Sequence, residues 1–286
     1  MSRLNINKTY KLYIGGKFPR TESGRYHPVN NSKGELIANM CLASRKDFRN
    51  AVVAARKAQS SWANASALNK GQVLYRVAEM LEGRKEQFIE ELITQGALSK
   101  SARDEVEASI DRLVYYAGWS DKYQQFFGSV NPVVSSHFNF SVLEPVGVIS
   151  IIAPQNKSLL SLITLVAPAI VGGNTVVVLA SESKPLTAVS FAEVLHSSDV
   201  PGGVVNILTG KKTELYSHMA SHMDVNSIIY CGDDEKIIKS ISELASGNIK
   251  RTVFYRKDDW TSEIYESPYL IEKTQEVKTT WHPTGI

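Results

Sequence analysis

Cysteine is scarce in this chain. Two residues in 286, Cys41 and Cys231, supply neither a disulfide framework nor the paired spacing of a zinc site, so a reducing cytoplasm is the expected compartment. Charge of one sign is lacking too. Lys and Arg total 32 against 29 Asp and Glu, and the resulting +3 is too small and too dispersed for a nucleic-acid surface. Long hydrophobic runs are missing. The most apolar stretch, 159–171, is broken by Ser161, Thr164 and Pro168 and is too short to span a bilayer. The first twenty residues lack the apolar core of a signal peptide. Neither a membrane nor a nucleic acid is therefore an expected partner. No G-x-G-x-x-G follows a strand pattern. Gly203 to Lys211 evokes a P-loop, but six residues separate Gly203 from Gly210 and Lys212 stands where Ser or Thr is needed, which argues against nucleotide hydrolysis.

What is present is ordinary globular composition, 43% AVILMFWYC and 21% charged, enough for a substantial core. The length suits one large α/β unit or about two domains. The opening reads as short strands and turns: 10–14 before Gly15-Gly16, then Tyr26-His27-Pro28-Val29 leading to the turn cluster 30–34. Three amphipathic helices follow, on stripes Phe48, Ala51, Val52, Ala55, Trp62, then Val73, Leu74, Val77, Leu81, then Val106, Ile110, Leu113, Ala117. Residues 128–144 are rich in β-formers, with a turn at Ser135-Ser136-His137. Apolar runs at 148–153, 176–179, 204–208, 227–231 and 251–254 then alternate with helical patterns at 159–170, 186–196, 214–221 and 233–245. Such alternation predicts a parallel, doubly wound sheet, with ligands expected beyond the strands' carboxyl ends. After Tyr255 the rhythm breaks into a charged turn, Arg256-Lys257-Asp258-Asp259, and a strand-like alternation over 276–281.

Two isolated features carry little chemistry. His218 and His222 sit at i, i+4 with no obvious third ligand, so a metal site is not expected. Cys231 ends an apolar run beside Gly232, but Asp233, Asp234 and Glu235 follow it. Negative neighbours suppress a thiolate, and a buried, inert thiol is the expectation.

The stretch 145–210 closely resembles the coenzyme-binding domain of the aldehyde dehydrogenase superfamily. Its landmarks are Pro145-Val146-Gly147, Ala167-Pro168-Ala169, Gly173-Asn174-Thr175, Ser181-Glu182, Pro185-Leu186-Thr187-Ala188 and the segment from Pro201 to Asn206. Upstream, Tyr13-Ile14-Gly15-Gly16-Lys17 and the helix around 51–62 resemble the family's N-terminal region, so the likeness runs to about Arg251. The chain is also similar to the degenerate second module of long, two-module aldehyde dehydrogenases. The resemblance implies a Rossmann-like α/β core at 145–256 beneath N-terminal strands and helices at 1–127. It also implies a protruding β oligomerisation element, built from 128–144 and a strand in the tail, 257–286. Ala153, Pro154, Asn156, Glu182, Gly210 and Gly232 fall, by the resemblance, at the remnants of the coenzyme site.

The departures from the family pattern are chemical. Asn156 matches the asparagine whose amide holds the oxyanion, yet that donor needs a nucleophile to create the charge. The lysine of the family's Lys-Pro-Ser-Glu is Leu179 here, which donates nothing to a ribose hydroxyl, while Glu182 remains. The Gly-Ser-Thr whose helix start faces the coenzyme pyrophosphate reads Gly232-Asp233-Asp234. A helix start binds anions through free N–H groups, and an Asp there both caps those groups and repels a diphosphate. At about 5 Å and an effective dielectric of about 20, each carboxylate–phosphate pair costs on the order of 3 kcal/mol. Tyr255 stands where the family's general-base glutamate belongs, and no Cys follows it. Thioester chemistry needs both groups.

The expectation is a catalytically degenerate homologue, cytoplasmic, that binds no cofactor and acts through assembly. Its partner is a second copy in a homodimer or a full-length aldehyde dehydrogenase in a hetero-oligomer. The alternatives are an NAD- or NADP-dependent aldehyde oxidoreductase, as the superfamily implies, or a binder of another small molecule in the crevice near Asn156 and Glu182.

Overall fold

The structure, a computed structural model, describes residues 8–31, 33–256 and 259–285. Ser32 of the turn cluster and Lys257 and Asp258 of the charged turn lie outside the described residues. Strands β1 (Lys8–Tyr10), β2 (Tyr26–Asn30) and β3 (Leu36–Cys41) form a small sheet in the order β1-β3-β2. The strand expected over 10–14 is shorter and earlier; Tyr13 instead bridges to Ile207. β3 was not foreseen, because Ala38 and Asn39 interrupt its apolar pattern.

Five helices, not three, follow: α1 (Arg45–Ala63), α2 (Ala67–Glu82), α3 (Lys85–Thr94), α4 (Ser99–Trp119) and the short α5 (Tyr123–Phe127). α1 begins with a capping box: Asp47 N donates to Ser44 Oγ at 3.2 Å and Ser44 N to Asp47 Oδ2 at 2.8 Å. α3 lacks any side-chain cap, and three apolar residues, Phe88, Ile89 and Leu92, make up its buried face. A helix so short and uncapped is marginal alone and forms against its neighbours.

β4 (Ser129–Asn131) and β5 (His137–Pro145) come next, then the alternating core. Its elements are β6 (Val148–Ile152), α6 (Leu160–Val171), β7 (Thr175–Leu179), α7 (Leu186–His196), β8 (Val205–Leu208), α8 (Lys212–Ser221), β9 (Ser227–Cys231), α9 (Glu235–Ala245) and β10 (Arg251–Tyr255). The five strands make one parallel sheet in the order β10-β9-β6-β7-β8. Alternate strand residues feed two cores. Ile149, Ile151, Val176, Val178 and Ile229 pack with α2, α3, α4, α6 and α7. Val148, Ile152, Val177, Leu179 and Tyr230 pack with α1, α8 and α9. Helices on both faces explain why the strands read as continuous apolar runs. This is the expected Rossmann-like α/β architecture.

Gly203, which leads into β8, has φ +99°, and a Cβ built on it would lie 2.6 Å from the Ala54 carbonyl oxygen in α1. Both the left-handed backbone and the close approach require glycine. Gly203→Ala is expected to destabilise by about 2–4 kcal/mol, from backbone strain plus overpacking. Denaturant melts check this, and a change below about 0.5 kcal/mol would contradict the α1–β8 approach.

After β10 the chain makes a 3-10 turn at Glu263–Tyr265 and a short helix α10 (Tyr269–Glu272), both unexpected from sequence, before β11 (Gln275–Pro283). β11 runs antiparallel to β5 over nine residue pairs, and the third sheet has the order β11-β5-β4.

Candidate functional site

The sheet order places a switch point between β6 and β9. From β6 the chain winds outward through β7 to β8. It then returns through α8 to β9 on the other side of β6. Connections that diverge from neighbouring strands leave a crevice beyond their carboxyl ends, where ligands of such sheets bind. Here a cavity of about 280 Å³ opens at that point. Pro154 and Asn156 after β6, Cys231 and Gly232 at the end of β9, and Tyr255 at the end of β10 all line it. A larger cleft of about 630 Å³ runs past Leu68, Tyr75 and Val114 on α2 and α4, away from the strand ends.

Each sequence-derived position can be located. Ala153, the residue just past β6, is buried, its N–H donating to the Leu179 carbonyl at 3.0 Å. Pro154, Asn156, Gly232 and Tyr255 meet around the cavity. Gly210 does not line it; it is buried against Ala43, where a Cβ would come within 3.3 Å of the Ala43 nitrogen. Leu179 faces the α1, α8 and α9 core and is fully buried. Glu182 Oε2 accepts the backbone N–H of Lys212 at 3.3 Å, at the first residue of α8. Its own backbone N–H donates to Gln155 Oε1 at 2.9 Å, as does Ser183 N at 3.0 Å.

The start of α9 is strongly acidic. Asp234 is its N-cap, Oδ1 accepting Lys236 N at 3.0 Å and Ile237 N at 3.3 Å. Asp233 lines the cavity immediately before it. Glu235 pairs with Arg256. The field of these groups reaches Tyr230. Burial pushes that phenol up from its ordinary range, and the Asp234 and Asp233 carboxylates push it further the same way. A Cβ on Gly232 would sit 2.6 Å from the Tyr230 hydroxyl, so the turn into α9 is closed tightly over that ring.

Three contributors escaped the sequence reading. Gln155, given no role by the sequence, ties the 181–183 loop to the end of β6. Trp260, in the stretch after β10, is 1% exposed and walls the cavity beside Tyr255, ring centroids 5.4 Å apart. Glu105 of α4 accepts the backbone N–H of Leu159 at 3.0 Å, at the start of α6, and burial pushes its carboxyl above the usual range. Its place beside Val106 on the apolar stripe of α4 was the available signal. His222 is engaged otherwise than as a ligand: its Nδ1 accepts Asp224 N at 3.2 Å and its ring packs edge-on to Phe48. Among the described residues, no group of three or more His, Cys, Asp or Glu is arranged to hold a metal. No helix among them is long and apolar enough to cross a membrane.

Comparison with known proteins gives a consistent result. The model of the aldehyde dehydrogenase family matches residues 18–255. Cytosolic 10-formyltetrahydrofolate dehydrogenase of Mus musculus is 33% identical over 260 residues, 88% of this chain and 28% of that protein. A protein described as putative aldehyde dehydrogenase DhaS, from Bacillus subtilis (strain 168), is 33% identical over 251 residues, 86% of this chain and 50% of that one. Among solved structures, the NAD+ complex of aldehyde dehydrogenase from Bacillus cereus superposes with a TM-score of 0.81 at 26% identity, covering 87% of this chain and 51% of that one. The chain thus spans between about a quarter and half of the length of these relatives.

Proposed function

The chain belongs to the aldehyde dehydrogenase family, and from that premise we propose that it is a catalytically degenerate member, cytosolic, acting as a non-catalytic assembly subunit. The observation that carries this reading is the Asp234 cap. In a dinucleotide site the helix start must offer N–H groups to a diphosphate. Here two of those groups already bind the Asp234 carboxylate, and Asp233 stands beside it. Glu182, the ribose-contacting position by resemblance, is likewise committed to Lys212. The residues present do not fit NAD or NADP.

The catalytic groups support the same reading. Tyr255 is buried against Trp260 and Tyr265 and has no carboxylate to act as a base. Asn156 lines the crevice, but an oxyanion donor without an activated nucleophile accelerates nothing. Cys231 is buried at the end of β9. We divide the chain accordingly into 1–127 and 145–256 as the degenerate coenzyme-domain body, with 128–144 and the strand in 257–286 serving assembly with a second copy or a full-length aldehyde dehydrogenase.

Family membership alone favours another reading, an NAD(P)-dependent aldehyde oxidoreductase, and turnover separates the two. Purified protein incubated with aliphatic and aromatic aldehydes and either coenzyme is expected to produce no reduced nicotinamide, and to hydrolyse no nitrophenyl ester. Turnover that persists in a preparation freed of host dehydrogenases, and that is lost on Cys231→Ser, would establish the oxidoreductase instead.

A further inference from the structure

Resting on the assembly reading, we propose that β11 is a homotypic docking edge, pairing antiparallel with β11 of a second copy in a register centred on Thr279. Edge strands are normally blunted by shortness, bulges, prolines or charges. β4, at the other edge of this sheet, is three residues long. β11 runs for nine residues in unbroken register with β5, with Pro at its last position. Its single lysine, Lys278, is held at 2.8 Å by Glu144 of the neighbouring strand. The exposed side chains include Val277 at 66% and Trp281 at 57%, large apolar groups on a strand that no other strand among the described residues pairs on its outer side. Only its start is engaged, Arg251 donating to the Gln275 carbonyl at 2.7 Å and to Glu276 Oε1 at 3.2 Å.

The sequence of β11 selects both the partner and the register. Two copies related by a two-fold axis perpendicular to a continuous sheet keep their faces. Residues opposite one another must then share a face, and the axis must pass through a residue. Centring on Lys278 sets two lysines directly opposite, and like charges so placed are destabilising. Centring on Thr280 sets Lys278 opposite His282 and Val277 opposite Pro283. Centring on Thr279 sets Val277 opposite Trp281 and Glu276 opposite His282, each twice by symmetry, with Lys278 opposite Thr280. An aliphatic–aromatic pair and an acid–imidazole pair are the cross-strand combinations that stabilise. The product is a six-stranded sheet, β4-β5-β11 continued by the same three strands of the partner copy, and it leaves no long edge open. A second copy fits this edge because the edge is complementary to itself.

The self-opposed position makes the test specific. Native mass spectrometry and light scattering on the wild type are expected to show a dimer. Thr279→Lys and Thr279→Glu are each expected to give folded monomers with the wild-type circular-dichroism spectrum, since either charge then faces itself. Both should melt somewhat lower, because the partner and the 2.8 Å contact between the Thr279 and Ser141 hydroxyls are both lost. Mixing the two variants is expected to restore dimer, as Lys meets Glu. Thr279→Cys is expected to form an intermolecular disulfide under mild oxidation. Val277→Cys is expected to do so with Trp281→Cys and not with itself. A dimeric wild type whose mass survives both charge variants, together with a Thr279→Cys variant that forms no cross-link, would overturn the β11 edge while leaving assembly through another surface intact. A wild type that is monomeric alone overturns self-pairing. In that case assembly as a whole also fails unless the protein co-elutes with an added full-length aldehyde dehydrogenase.

Discussion

Trp260→Ala is expected to lower the melting temperature by on the order of 10 °C, the largest single effect of any core truncation in the segment after β10. Trp260 is 1% exposed and lies between Tyr255 and Tyr265, with ring centroids 5.4 and 4.8 Å away. Emptying such a site costs about 3–5 kcal/mol, and each kcal/mol moves the midpoint of a domain this size by roughly 2–4 °C. The loss spreads because this indole is one of several pegs. The Tyr116 hydroxyl donates to the carbonyls of Tyr265 (3.1 Å) and Ser267 (3.2 Å). Arg112, 2% exposed on its side chain, lies 3.5 Å from Glu266 and donates to Thr164 Oγ1 at 2.8 Å. Leu270 and Ile271 are buried in the main core, where α10 packs on α6. Residues 259–274 are therefore part of the main core and carry β11 to its place beside β5. Scanning calorimetry of Trp260→Ala and Trp260→Phe checks the claim. Phe should keep most of the stability, and an Ala variant melting within about 2 °C of wild type would show that the segment is only draped on the surface.

The sequence made some of this legible and hid the rest for identifiable reasons. The five core strands and their helices could be read because each strand is covered on both faces and has no polar alternation to confuse it. A strand over 276–281 could be read from its alternation, and its place beside 128–144 only from the family resemblance; the structure extends it to Gln275–Pro283, paired with β5 over nine residues. α3 and β3 could not, since their patterns are short and their stability comes from packing rather than from caps or propensity. At the site, the capping role of an aspartate before α9 was visible locally, because a cap needs only its own first turn; the structure selects Asp234. Gln155, Glu105 and Trp260 act through partners distant in sequence or through ring packing, and no local pattern announces such contacts.

The same acidic turn sets the last expectation. In calorimetry, neither NAD nor NADP is expected to bind the wild-type protein measurably, whereas Asp233→Asn/Asp234→Asn should gain affinity by about a hundredfold or more. One carboxylate–phosphate pair at about 5 Å and an effective dielectric of about 20 is on the order of 3 kcal/mol, roughly two decades in the binding constant. Asn caps a helix about as well as Asp, so the double variant removes the charge and leaves α9 folded. A second variant, Asp233→Ser/Asp234→Thr, also removes both charges and supplies the hydroxyls of the family's Gly-Ser-Thr. Leu179 is left in place, because it is fully buried in the core of α1, α8 and α9 and a lysine there would bury a charge. Comparable gains in the two variants would assign the defect to charge. A gain confined to the Ser/Thr variant would assign it to missing hydroxyl contacts. If both fold and neither binds, charge is not the obstacle, and the defect lies in the geometry of this turn, where the residue at 234 still caps the N–H groups of α9 beneath the close approach of Gly232 to the Tyr230 ring.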